Sequence, residues 1–302
     1  MDNDFVSRQE LKRQGVNQDF KKLFHLAGGI LALAGVIFIV IRLHQDFAQL
    51  DFSRFVLASW PQIIILIVIY GAANLFLAIA WWHILGSLKA RVHRIWAVKT
   101  YGISQLAKYI PGNIFQFAGR QALGLAANLP GWVLAKSIFW ELILISAAGL
   151  LLTCLALPLL FPEISISAAF LLFLFLSIAA SISFGFFLST SIAKVLVYHL
   201  LFHLTAGLVF VGTLAVITGT ISFEVEMLIM FVAIYVVAWL VGLVTFGAPA
   251  GIGVREVVLL FLLGTMVVES DLLLALVLNR AITVTGDGLF FIFASLLTLK
   301  EH

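Results

Sequence analysis

The chain has 302 residues, 63% of them hydrophobic and 11% charged, with a formal net charge of +3 and a mean hydropathy of +1.14. A water-soluble core cannot absorb that much apolar surface, and several apolar runs reach the roughly 20 residues that cross about 30 Å of hydrocarbon. The chain therefore reads as an all-α polytopic membrane protein, because it lacks the strictly alternating segments of about ten residues that mark a membrane β-barrel. The single cysteine, Cys154, lies inside an apolar run. This excludes a disulfide framework or a cysteine-based metal site within one chain, and leaves Cys154 as a small packing residue.

Residues 1–22 form a basic leader with Arg8, Lys12, Arg13, Lys21 and Lys22. Phe5, Leu11, Val16 and Phe20 are interspersed among these charges, which suits either a short helix on an anionic inner leaflet or a solvated leader. No small-residue cleavage pattern follows the first apolar run, so residues 23–302 are expected to be one transmembrane domain behind a cytoplasmic N-terminus. The first span, about 23–41, carries Gly28, Gly29 and Gly35, which permit close helix approach. The second, about 55–85, has Trp60 near one end and Trp81-Trp82 near the other, as an aromatic belt would, with Asn74 turned to a neighbour. Lys89, Arg91, Arg94 and Lys99 then return the chain to the cytoplasm.

Next comes the most unusual stretch, Tyr101–Arg120, in which Gln105, Lys108, Asn113, Gln116 and Arg120 interrupt apolar sequence and Pro111-Gly112 breaks it. A helix from Ile95 to Ile110 would rise only about 24 Å, and Pro111 disfavours helix at the residue before it. The expectation is a re-entrant hairpin over 95–128; a single crossing would instead reverse every later orientation. Further spans follow at about 132–160, 167–188, 192–218 and 227–246. A second break, Gly247–Gly253, leads into the apolar segment 254–268, and the last span is about 272–299.

Counting the short segment, there are about eight crossings with both termini cytoplasmic. Glu163, Glu224, Glu226, Glu269 and Asp271 then fall outside and Lys194 and Lys300 inside, as the positive-inside rule requires. The second break, near 246–268, fits either a cytoplasmic loop or the tip of a hairpin entering from outside. The latter opposes the two broken helices, as an inverted repeat would.

Ionisable groups within membrane spans mark sites or pathways. The candidates for substrate binding are Lys108, Asn113, Gln116, Arg120, Arg255 and Arg280; Glu141, Glu256 and Asp287 are candidates for ion pairing or proton coupling. Arg120 is the expected partner of Glu141, which lies about 13 Å along its helix from Trp132. Arg280 and Asp287 are about 10.5 Å apart along theirs, too far to pair directly, though a headgroup or a third side chain could bridge them. The bland alternative is that these groups simply pair off and lock the helices together. Lys136 is expected to snorkel to the interface.

Arginine presents a planar fork to phosphate, so three deep arginines beside helix breaks point to a phosphate-bearing ligand. His199 and His203 are one turn apart, but no third metal ligand accompanies them. Gly251-Ile-Gly253 follows no strand, and no P-loop, HExxH or GxSxG occurs. No catalytic set, metal site or cofactor is expected.

The pairing of Lys108-Tyr-Ile-Pro-Gly112 and Gly119-Arg120 with a late Pro-x-Gly-x-Gly-x-Arg-Glu, Pro249 to Glu256, resembles the lysylphosphatidylglycerol synthase transmembrane-region family. Its best-known member, the multiple peptide resistance factor, has a membrane domain implicated in flipping aminoacylated phosphatidylglycerol. The resemblance covers nearly the whole chain. It implies that Arg120, Arg255 and Glu256 are motif positions, and it favours opposed hairpins.

That member carries a soluble aminoacyl-transferase domain after its membrane part, whereas this chain reaches His302 three residues after its last span, so synthase activity is expected to be absent. The expected function is translocation of a phosphate-bearing amphiphile between leaflets of a bacterial-type inner membrane. Without an ATP-binding motif, transport would be facilitated or driven by an ion gradient. The alternative is an accessory or catalytic membrane subunit of a lipid or glycolipid synthesis pathway. The expected partners are a membrane lipid, together with a second copy or a pathway enzyme, and no nucleic acid.

Overall fold

The computed structural model describes residues 59–110, 114–219, 224–245 and 253–298, and in these the protein is helical throughout. Helix α1 is Trp60–Ser87, α2 is Arg94–Gln105, followed by a 3-10 turn Leu106–Tyr109, and α3 is Phe115–Ala126. Helix α4, Gly131–Thr153, continues through a 3-10 turn at Cys154–Ala156 into the short α5, Leu157–Leu160. Then come α6 (Ile166–Phe187), α7 (Thr190–Thr218), α8 (Val225–Val244), α9 (Val254–Leu263) and α10 (Glu269–Leu296).

Among the described residues, six stretches are long and apolar enough to cross a membrane: α1, α4 with α5, α6, α7, α8 and α10. The protein is thus a helical, multi-pass membrane protein. Helix limits follow local chemistry. The Ser165 and Ser189 hydroxyls accept the backbone N–H of Ala168 and Ile192 to open α6 and α7, and α7 closes on Gly219 at φ 68°.

The expected leader, the first span, both chain ends and the two Pro/Gly breaks themselves lie outside the described residues. The described residues on either side of the first break form two short helices. Helices α2 and α3 have 12 residues each, about 18 Å, and Ile110 between them is extended at ψ 133°. They pack closely, since a Cβ on Gly119 would lie 3.3 Å from that of Ser104. The segment 254–268 is helical only from Val254 to Leu263, about 15 Å, half of a bilayer's hydrocarbon thickness.

Helix α10 is the most buried of the six long elements. It is wedged against α1 at Gly71 and Gly286, where a Cβ on Gly71 would meet the Gly286 carbonyl oxygen at 3.0 Å. It is wedged against α2 at Gly102, where an added Cβ would come within 2.3 Å of the Ala294 Cβ. Small residues let these backbones approach, and dispersion between them replaces the hydrophobic drive that lipid cannot supply. By contrast α6 buries only Ala169 and Ser177, so it sits at the periphery.

One expectation about tryptophan is corrected. Trp81 is 1% exposed and donates its indole N–H to Ser137 Oγ at 3.1 Å, so it belongs to the core and not to an interfacial belt. Trp82 donates to the Val92 carbonyl oxygen at 3.0 Å, which ties the end of α1 to the loop after it. An indole N–H surrounded by apolar side chains needs an acceptor, and here protein supplies one before water or headgroups can.

Candidate functional site

Eight helices and the 3-10 turn converge on one cavity of about 100 Å³. Its polar lining comes from Gln105 on α2, Lys108 and Tyr109 on the turn, Gln116 and Arg120 on α3, Glu141 on α4, Arg255 on α9, and Arg280 and Thr283 on α10. Tyr70, Leu77, Phe202 and Trp239 form much of the remaining wall. Helices α2, α3 and α9 are short, with 12, 12 and 10 residues, and each contributes polar side chains to the cavity alongside those of the long α4 and α10.

Two buried ion pairs organise the cavity. Arg120, 3% exposed, places Nη1 2.6 Å from Glu141 Oε2, and the other carboxylate oxygen accepts the Tyr101 hydroxyl at 2.9 Å. The guanidinium also stacks over the rings of Tyr101 (4.3 Å), Phe117 (5.1 Å) and Trp81 (5.6 Å), so it is enclosed by aromatic faces and neutralised by one acid.

The second pair joins the end of the broken segment to α10. Lys108 Nζ lies 2.7 Å from Asp287 Oδ2, and the same oxygen accepts the Tyr109 hydroxyl. Tyr109 is a third side chain that spans Arg280 and Asp287. Its ring lies under the Arg280 guanidinium at 5.7 Å while its hydroxyl reaches Asp287.

The other two arginines differ from Arg120. Arg280 is 7% exposed, and its Nε and Nη2 atoms are buried with no hydrogen-bond partner among the described residues. Arg255 rests over the Trp239 ring at 5.3 Å, and its buried Nε is likewise unpartnered among the described residues. Both also line a smaller cavity of about 20 Å³ together with Tyr235, Glu256 and Asn279. Glu256 is engaged locally, its carboxylate accepting the Gly253 N–H at 2.7 Å and so closing the first turn of α9.

Neither models of known protein families nor curated proteins match this sequence. The family resemblance thus rests on its two motifs, and the geometry gives their positions distinct work. Lys108 and Tyr109 of the first motif converge on Asp287, while Gly119 lets α3 approach α2 and Arg120 meets Glu141. Arg255 of the second faces the cavity, whereas its neighbour Glu256 caps a helix.

Of the other candidates, Gln116 lines the cavity and Asn113 lies outside the described residues. Lys136 is exposed and lies 4.9 Å from the Trp132 ring centroid, as a snorkelling lysine would. Asn74 does face a neighbour, accepting from Gln105 Nε2 at 3.3 Å. His203 is buried with Nε2 3.0 Å from the Ile145 carbonyl oxygen, a core hydrogen bond.

Sequence reasoning missed Tyr70, Tyr101, Tyr109 and Trp239. The tyrosines carried a usable signal: a phenol deep in a membrane protein needs a hydrogen-bond partner, and Tyr101 and Tyr109 both lie within the broken segment.

Proposed function

We infer that the protein translocates a phosphate-bearing amphiphile between the leaflets of a bacterial-type inner membrane, and that the central cavity receives the headgroup. What carries this reading is the charge of that cavity. Lys108, Arg120, Arg255 and Arg280 line it, with Glu141 the one lining carboxylate among the described residues. A buried excess of arginine is expensive in a membrane unless an anion visits it, and the guanidinium fork suits phosphate.

The dimensions support a headgroup site. A volume of about 100 Å³ is several times the minimum of about 10–15 Å³ that admits one water, so it accommodates a small polar group but not a whole lipid. The chains would remain in the bilayer while the headgroup is held among α2, α3, α9 and α10. The half-length helices α2, α3 and α9 resemble the discontinuous helices with which transporters build sites near the bilayer midplane.

The test is leaflet exchange of fluorescent phospholipids and polyprenyl phosphates in liposomes containing the purified protein. Exchange above protein-free liposomes for at least one phosphate-bearing lipid is expected. Absence of exchange across the whole set would end this reading.

A further inference from the structure

The four cations of the cavity are not equivalent. Lys108 is neutralised by Asp287 and Arg120 by Glu141, each at ion-pair distance. That leaves Arg255 and Arg280 with two positive charges, and neither is joined by an ion pair to an acid among the described residues, Glu256 included. Their buried nitrogens have no partner among the described residues and are donors awaiting an acceptor, and both side chains line the same two cavities. A donor left unsatisfied in the interior carries its full desolvation penalty, so a ligand that supplies acceptors here is strongly favoured.

We propose that the ligand group is clamped between Arg255 and Arg280 and carries two negative charges, as a phosphate monoester or a diphosphate does and a phosphodiester does not. This deepens the translocase reading and rests on it for the lipid nature of the ligand. A singly charged phosphodiester would neutralise only one of the two arginines and leave the other uncompensated. The dianion satisfies both, with two guanidinium forks on one group of oxygens. Arg120, already matched to Glu141, supports the wall of the site and does not grip the ligand.

The charge of the ligand is itself adjustable, because a phosphate monoester loses its second proton near a pH of about 6. Other titratable groups face the arginine pair: Tyr70 from α1, Lys108 and Tyr109 from the 3-10 turn, Tyr235 from α8, and Glu256 and Asp287 from α9 and α10. His203 of α7 meets Trp239 edge-to-face at 4.6 Å, and Arg255 lies over the same Trp239 ring. A titration among these groups acts on any anion, so a phosphodiester of the same chain isolates the contribution of the ligand.

The experiment is calorimetric binding to the full chain in lipid nanodiscs. The probes are a short polyprenyl monophosphate, its methyl phosphodiester and inorganic phosphate, each measured at pH 8 and pH 5. At pH 8 the monoester should bind at least about tenfold more tightly than the methyl diester, the equivalent of one charge-assisted hydrogen bond. The gap should close at pH 5, and Arg255→Gln and Arg280→Gln, which each remove one of the two charges, should each abolish it.

Equal affinity of the two lipids at pH 8 would overturn the two-charge clamp and leave the translocase reading standing. Binding of inorganic phosphate without either lipid would support the clamp and overturn the translocase reading. Failure of every probe would overturn both. The comparison on the unaltered protein decides the matter even if a variant does not fold.

Discussion

Arg120 and Glu141, 21 residues apart in the chain, meet at 2.6 Å and are 3% and 4% exposed, so the broken segment is fastened to α4 by a desolvated charge pair. Removing one partner strands the other charge, which costs about 3–5 kcal/mol, whereas removing both is often tolerated. Arg120→Ala and Glu141→Ala should each melt well below the unaltered protein, and the double variant should recover most of the loss. In thermal melts, a double variant no better than the worse single would show that the pair does not act as a unit. The double variant should also keep the preference for a monoester over a diester.

Tyr101 supports the same carboxylate from α2. Tyr101→Phe removes a hydrogen bond to a charged group and should destabilise by about 1.5–3 kcal/mol, less than loss of Arg120. The same melts rank the two variants. Equal damage from both would mean that the guanidinium contributes no more than the phenol.

Lys108 and Asp287 couple the end of the broken segment to the most buried helix. Asp287→Asn leaves Lys108 without its counter-ion, and Lys108→Met leaves a carboxylate that is 0% exposed without its cation. Both should lower lipid exchange and thermal stability together, while Lys108→Met with Asp287→Asn restores stability first. Lipid exchange unchanged in all three variants would detach this pair from function.

The approach of α2 to α10 is set by an absence of side chain. Gly102→Ala places a Cβ 2.3 Å from that of Ala294, an overpacking that typically costs about 1–3 kcal/mol. Gly86→Ala meets nothing within 4 Å near the end of α1, and should be neutral or slightly stabilising. Protein yield and melting temperature in detergent compare the two directly; tolerance of Gly102→Ala would mean that α2 shifts freely on α10.

Pro111 lies outside the described residues, but Ile110 before it is extended, as a residue preceding proline prefers. Pro111→Ala restores a backbone donor and removes that restriction, allowing α2 to run on. Lipid exchange should fall while insertion is retained. Exchange at the level of the unaltered protein would show that the break is incidental.

The sequence by itself determined the membrane class and the positions of the long helices, because about 20 apolar residues have no other stable home and polar loops end them. It also marked the broken segment, since Pro111 and five polar side chains cannot continue an apolar span. It singled out the ionisable residues by their cost in hydrocarbon. The pairing of Arg120 with Glu141 followed from Glu141 lying deep enough along its helix to need a cation.

Only the tertiary structure decided which cations remain uncompensated. By sequence Arg280 and Asp287 share a helix face, yet the carboxylate goes to Lys108 and Tyr109 from the 3-10 turn. That choice follows from where the turn after α2 packs on α10, which the Gly102–Ala294 and Gly71–Gly286 approaches govern. Trp81 likewise reads as an interfacial residue until α4 brings Ser137 to its indole. Periodicity and composition act along the chain, but the neutralisation of a buried charge depends on which helix face arrives within about 3 Å of it, and that is set by packing between distant segments.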